Sequence, residues 1–277
     1  MIHNTVFGIG STATARLLVD APQGARVVAS KGGKSVLCER KLVEFRNPEY
    51  LLPDGYTQLS HIAGEIGTSI DLGVVPTAKT VSKFKVQNNA ATGDCIYGYQ
   101  GDDNNDYRVF NYANHPYFDM GAQRLTSPTL GFFAGNPYEI EIGNYYFYGD
   151  AIGEITGTEQ PNFQGVNTLK LNDGNSKNGW FWVTIIEDGV EIRRCIPCRR
   201  DSDNLVSMYD LAENRFVTAV TGTFTAGDVI PKTVQAYRYV GELNEYGLWE
   251  VAAESGGSVT RLSADVSEAA DVFPASV

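Results

Sequence analysis

Histidine, cysteine and methionine are scarce in this sequence, with three, four and three residues among 277. His3, His61 and His115 are scattered, and the cysteines supply a single CxxC, Cys195-x-x-Cys198, with no second pair, so the spacing of a structural zinc site is missing. Residues three apart on a strand point to opposite faces, which predicts reduced thiols at Cys195 and Cys198 rather than a disulfide. No run of about 18 apolar residues occurs, so no helical membrane span is expected. Met1-Ile2-His3-Asn4 lacks the basic stretch and apolar core of a secretory signal, which predicts a soluble product made in a cytoplasm. An excess of basic residues is lacking too. The net charge of -11 would repel a phosphate backbone or an anionic membrane, and it favours a neutral or cationic partner over nucleic acid. Neither heptads, a collagen-like run nor a repeat of 20 to 50 residues is found, so no long fibre shaft is encoded. Gly33-Lys34-Ser35 has Val28 where a phosphate-binding loop needs its first glycine. Gly8-x-Gly10 lacks the third glycine of a dinucleotide site.

What is plentiful is glycine (29), tyrosine (15) and phenylalanine (13), a composition of turn-rich β structure. Strand-length segments at 80–86, 94–100, 107–112, 130–134, 138–142, 145–148, 168–171 and 180–186 alternate with turn signals and show almost no helical period. Asp188-Gly189 readily takes the positive φ angles of a two-residue hairpin turn between two such strands. Strands with one apolar face must bury it against another sheet. The expected fold is all-β: an antiparallel two-sheet jelly-roll sandwich over 49–230, with a small N-terminal β arm over 1–48. The arm reads as short strands at 15–19, 25–29 and 35–38, too small to stand alone. Residues 231–277 read as up to two strands, 234–240 and 248–251, followed by an Ala/Ser-rich tail. Trp180 and Trp182, two apart, are expected on one strand face, inside the sandwich.

Two stretches carry a family resemblance. Ile196-Pro197-Cys198-Arg199-Arg200, Asp203, Tyr209-Asp210-Leu211, Phe216 and Gly222-Thr223-Phe224-Thr225-Ala226-Gly227 resemble the closing segment of laminin G-like (concanavalin A-like) jelly-roll domains of gut-bacterial phages and prophages. Leu52-Pro53-Asp54-Gly55-Tyr56-Thr57-Gln58-Leu59 and Thr68-Ser69-Ile70-Asp71-Leu72-Gly73-Val74 resemble their opening phrases. The likeness covers roughly residues 50–230, its middle in pattern only. Residues 21–34, APQGARVVASKGGK, are similar to the first hairpins of small carboxypeptidase-regulatory-like β modules. The resemblance implies a virion protein, made in the host bacterial cytoplasm and displayed on the virion surface. Its arm would dock to other virion proteins, and the chain would assemble as a homo-oligomer.

Three constellations carry candidate chemistry. Interleaved tyrosine and asparagine at Tyr107, Asn111, Tyr112, Asn114 and Tyr117 suit a sugar, since pyranose C–H groups stack on rings while amides satisfy hydroxyls. Asp102, Asp103 and Asp106 offer the hard oxygen ligands of calcium, which laminin G-like domains sometimes bind at a sandwich rim; no other cofactor is expected. Glu139 and Glu141 share a strand face about 6.5–7 Å apart, a separation compatible with glycoside hydrolysis. Gly143-Asn144 interrupts the series that jelly-roll glucanases use. Arg199-Arg200 suits a carboxylated sugar or a pair with Asp201 or Asp203. The expected function is therefore a non-enzymatic virion surface protein, a tail-fibre or baseplate adhesin or a capsid decoration, attaching weakly and multivalently to host or mucosal glycans. The alternatives are a purely structural protein cementing virion subunits, and a jelly-roll glycoside hydrolase.

Overall fold

The computed structural model describes residues 4–8, 15–89, 95–101, 105–127, 131, 133–150, 153–172, 177–243 and 247–266. Among them there is no helix: every regular element is a strand, and every strand pairing is antiparallel. The chain divides into two compact units, Tyr50–Ile230 and the combination of Met1–Glu49 with Pro231–Val277.

The Tyr50–Ile230 unit is a sandwich of jelly-roll character. One sheet runs, in spatial order, Gln123–Thr126, His115–Met120, Tyr107–Tyr112, Cys95–Tyr99, Lys170–Leu171, Ser69–Asp71 and Ala219–Thr221. The other runs Gly153–Thr156, Tyr146–Gly149, Pro137–Gly143, Thr80–Gln87, Gly179–Glu187, Val190–Arg200, Val206–Asp210 and Arg215–Val217, with Tyr56–Gln58, Ile62–Gly64 and Phe224–Ala226 attached beside it. Thr80–Gln87 shows why the layers close: Thr80, Ser82, Phe84 and Val86 are buried while Val81, Lys83, Lys85 and Gln87 are only partly so, the period-two pattern of a one-sided strand. Across the layers Phe84 stacks on Tyr97 at 4.6 Å, Phe118 meets Phe147 at 6.2 Å, and the Tyr97 hydroxyl donates to Ser82 Oγ at 2.8 Å. The Asp188-Gly189 turn has φ of 50° and 79° and joins strands paired at Glu187 and Val190.

The tryptophans do not share a face. A register shift between Trp180 and Trp182 pairs Trp180 with the inward Val86 but Trp182 with the outward Lys85. Trp180 is therefore fully buried between the sheets. Trp182 instead packs on the outside of the larger sheet, beside a second small cluster of Tyr50, Leu52, Ile196, Cys198 and Tyr209. That cluster joins the two resemblance-bearing stretches: Tyr56–Gln58 pairs with Cys198–Arg200, and the Tyr56 ring lies 4.7 Å from Tyr209 and 6.0 Å from Phe216.

In the other unit the strands run Asn4–Gly8, Ala15–Val19, Thr233–Leu243, Lys34–Arg46, Arg26–Lys31, Gly247–Ser255 and Ser258–Val266. The arm and the C-terminal segment, read from sequence as separate pieces, interleave in this one sheet. The arm strand Ala15–Val19 pairs with Tyr239–Leu243, and Leu17, Val19, Val27 and Cys38 share a core with Leu243, Trp249 and Val251. Neither piece carries enough apolar surface alone, and pooling it supplies a core. The segment read as a tail contains a third strand, Ser258–Val266, turned back at Gly256-Gly257 with φ of 56° and 81°.

Candidate functional site

The hairpin Tyr107–Tyr112 and His115–Met120 turns at Ala113-Asn114, both at positive φ (51° and 63°), with Tyr112 opposite His115. This register decides which candidate side chains meet solvent. Tyr107, Val109 and Asn111 point inward with Phe118 and Met120, so Tyr107 and Asn111, expected from sequence to line a glycan site, are corrected to the interior. Tyr107 is 0% exposed and packs edge-on against Phe118 at 5.4 Å. Burial pushes its hydroxyl well above the ordinary tyrosine range. Tyr112, Asn114 and Tyr117 lie at the tip and on the outer face. Tyr112 is 53% exposed, and its ring meets Tyr117 edge-on at 6.0 Å.

Residues that the sequence reading passed over complete this face. Tyr117 stacks on Phe110 at 5.0 Å. One step along the strands, cross-strand neighbours Arg108, Asp119 and Arg124 form a row. Arg124 donates to Asp119 from Nε (2.7 Å, Oδ1) and Nη2 (2.8 Å, Oδ2), and Arg108 donates to Oδ2 from Nε (3.2 Å) and Nη2 (3.1 Å). Arg108 also lies 4.5 Å from the Phe110 ring centroid. The Asp119 carboxylate raises the Arg124 guanidinium above its ordinary range, fixing the cation. Close approach of the neighbouring strand Cys95–Tyr99 is needed at the end of this row. Gly98 sits opposite Arg108 at φ 96°, where a Cβ would fall 1.9 Å from the Tyr107 carbonyl oxygen. Two tight turns, Ala113-Asn114 and Gly121-Ala122, align 108, 119 and 124.

The remaining candidates are committed elsewhere. Asp106 Oδ1 accepts the Gly101 N–H at 2.6 Å and Oδ2 faces Arg108 Nη2 at 3.5 Å; Asp102 and Asp103 lie outside the described residues. A carboxylate turned to a guanidinium does not fit a calcium ligand, and no group of three or more His, Cys, Asp or Glu among the described residues is arranged for a metal. Glu139 and Glu141 do share the outer face of their strand. Glu139 accepts from Lys85 Nζ at 3.0 Å, and Glu141 accepts from Tyr146 at 2.7 Å and pairs with Lys83 at 2.9 Å. Burial pushes the Glu141 carboxyl up, but the tyrosine and lysine together outweigh it and hold it below the ordinary value, the reverse of what a protonated general acid needs. Arg200 is clamped on Asp203 at 3.0 and 2.5 Å. The apolar hollow beside Leu205, Phe216 and Phe224 has no charged side chain in its lining.

All four cysteines are free thiols and buried, Cys195 in the main core and Cys198 in the small outer cluster, on opposite faces of one strand. Desolvation pushes Cys38 up to about 11 and Cys198 up to about 12, and Cys195 further still. Thiol reagents at pH 8 are expected to leave the native protein unmodified and to label it fully once unfolded; fast native labelling of Cys195 or Cys198 would contradict the burial. Because the folded values exceed the unfolded value of about 8.5, this contribution is complete below that pH. It is lost progressively as pH rises toward 11–12, so urea midpoints should fall over that window.

No family model matches this chain, and no curated protein matches it.

Proposed function

We propose that the chain is a non-enzymatic surface protein of a phage virion that attaches weakly to host or mucosal glycans through the outer face of the Tyr107–Tyr112/His115–Met120 hairpin. The observation that carries the reading is the exposed Tyr112 ring held edge-on to Tyr117, with Asn114 beside it in the turn. A rigid two-ring surface offers stacking area at little entropic cost, and the neighbouring amide and guanidinium supply donors for sugar hydroxyls. The virion setting is supported by the resemblance of residues 50–230 to laminin G-like phage domains. Each site is small, and repeated copies on a symmetric particle raise effective concentration enough to turn millimolar contacts into firm attachment. The ion-paired, ionised Glu141 favours attachment over hydrolysis.

A glycan array probed with protein multimerised on streptavidin tests the reading. Binding should fall at least about tenfold, or about 1.4 kcal/mol, in Tyr112→Ala and Tyr117→Ala, with thermal midpoints within a few degrees of the parent. Absence of any binding by the multimer would leave the structural cementing role in its place. Release of reducing sugar that is lost in Glu141→Gln would restore the hydrolase.

A further inference from the structure

We infer that this face selects glycans bearing a carboxylate, such as uronic or sialic acids, and that Arg124 is the group that recognises it. The inference rests on the attachment reading above and names its substrate class. Arg124 is 55% exposed at its side chain while its partner Asp119 is 4% exposed, so the pair turns its cation outward and its anion inward. The bonds to Asp119 use Nε and Nη2, which leaves the Nη1 edge facing away from the carboxylate. The guanidinium lies 5.3 Å from the Phe110 ring centroid and 5.7 Å from that of Tyr117. It is therefore held against the same aromatic surface on which a sugar ring would stack. A guanidinium already immobilised loses little freedom on accepting a second carboxylate end-on, through Nη1 and the remaining N–H of Nη2, a bidentate geometry that its planar fork allows.

Arg124, Arg108, Asp119 and Asp106 sum to zero charge, but the carboxylates are the sheltered members, Asp119 4% and Asp106 13% exposed, so the charge that reaches solvent is the Arg124 cation. The net charge of -11, which from sequence favours a neutral or cationic partner, averages over the whole surface. Screening at physiological salt limits each charge to about 8 Å, so the exposed cation at the platform governs what binds there. Arg200, which the sequence singled out for this chemistry, serves less well: its side chain is 32% exposed and that of its partner Asp203 39%, so the anion there is at least as open to solvent as the cation.

The test compares sialyllactose and a glucuronate-terminated oligosaccharide with their methyl esters, and with lactose, on the full-length multimerised protein. A charge-assisted contact of about 1.5 kcal/mol corresponds to at least about tenfold tighter binding of acid than ester, decreasing as sodium chloride is added. Arg124→Gln should bind acid and ester alike, and Arg124→Lys should keep part of the preference. Equal binding of acid and ester by the parent, or a preference that survives in Arg124→Gln, would overturn the inference while Tyr112-dependent binding of the esters or lactose upheld attachment. Binding of none of the probes or of any arrayed glycan would remove the attachment reading as well.

Discussion

Trp180→Ala is expected to destabilise the Tyr50–Ile230 unit by about 3–5 kcal/mol, the range for deleting a buried tryptophan. The indole is fully buried, 5.7 Å from Phe84 and 6.3 Å from Tyr97 by ring centroids. Alanine would leave a void between layers that cannot collapse without separating paired strands. It would also remove the donor that reaches Asn172 Oδ1 at 3.0 Å, an oxygen that also accepts from Asn178 Nδ2 at 3.1 Å. Trp180→Phe should cost less, about 1–3 kcal/mol, since it restores most of the volume but not the N–H. Trp182→Ala, on the half-buried outer face, should cost less than Trp180→Ala. Urea unfolding followed by circular dichroism, with the transition of each unit fitted separately, would measure these differences. Equal losses at positions 180 and 182 would mean that the two indoles share one face and that the register shift between them is wrong.

Asp119→Ala should cost a comparable amount, about 3–5 kcal/mol, for a different reason. Removing one member of a buried ion pair leaves the other charge desolvated. Arg108 has a side chain only 11% exposed and would keep Asp106 at 3.5 Å as its remaining anionic contact. If that is the mechanism, Arg108→Met in the same chain should recover much of the loss, because replacing a whole buried pair by apolar side chains is often neutral. A destabilisation below about 1 kcal/mol, or no recovery in the double variant, would show that the row is solvated and its charges replaceable. Arg124 would also lose its anchor, so the acid preference should weaken together with stability.

The sequence was most legible where chemistry forces a single local answer. Asp188-Gly189 marked its hairpin because few other dipeptides take positive φ at both positions, and the alternation through Thr80–Gln87 placed an inner and an outer face. Ala113-Asn114 makes a turn of the same kind, but alanine at φ 51° is not a turn signal, so the strands His115–Met120 and Gln123–Thr126 went unread. With them went the register that aligns Arg108, Asp119 and Arg124. Spacing alone also put Tyr107 and Asn111 among the sugar-facing residues, because interleaved Tyr and Asn do not say which parity faces out until the strand's partner is known. The shift between Trp180 and Trp182 breaks the period of two at Phe181, with no glycine or proline between the two indoles to announce it. Gly256-Gly257 was a readable hairpin signal overridden by the Ala- and Ser-rich composition around it.

Hydrogen–deuterium exchange with and without the tightest-binding arrayed glycan bears most directly on the proposed attachment face. Backbone amides of 107–120 and 123–126 should exchange more slowly in the complex, and those of 137–149, which carry Glu139 and Glu141, should be unchanged. Protection confined to 137–149, or to neither segment under saturating glycan, would contradict the assignment of the Tyr112–Tyr117 face as the contact surface.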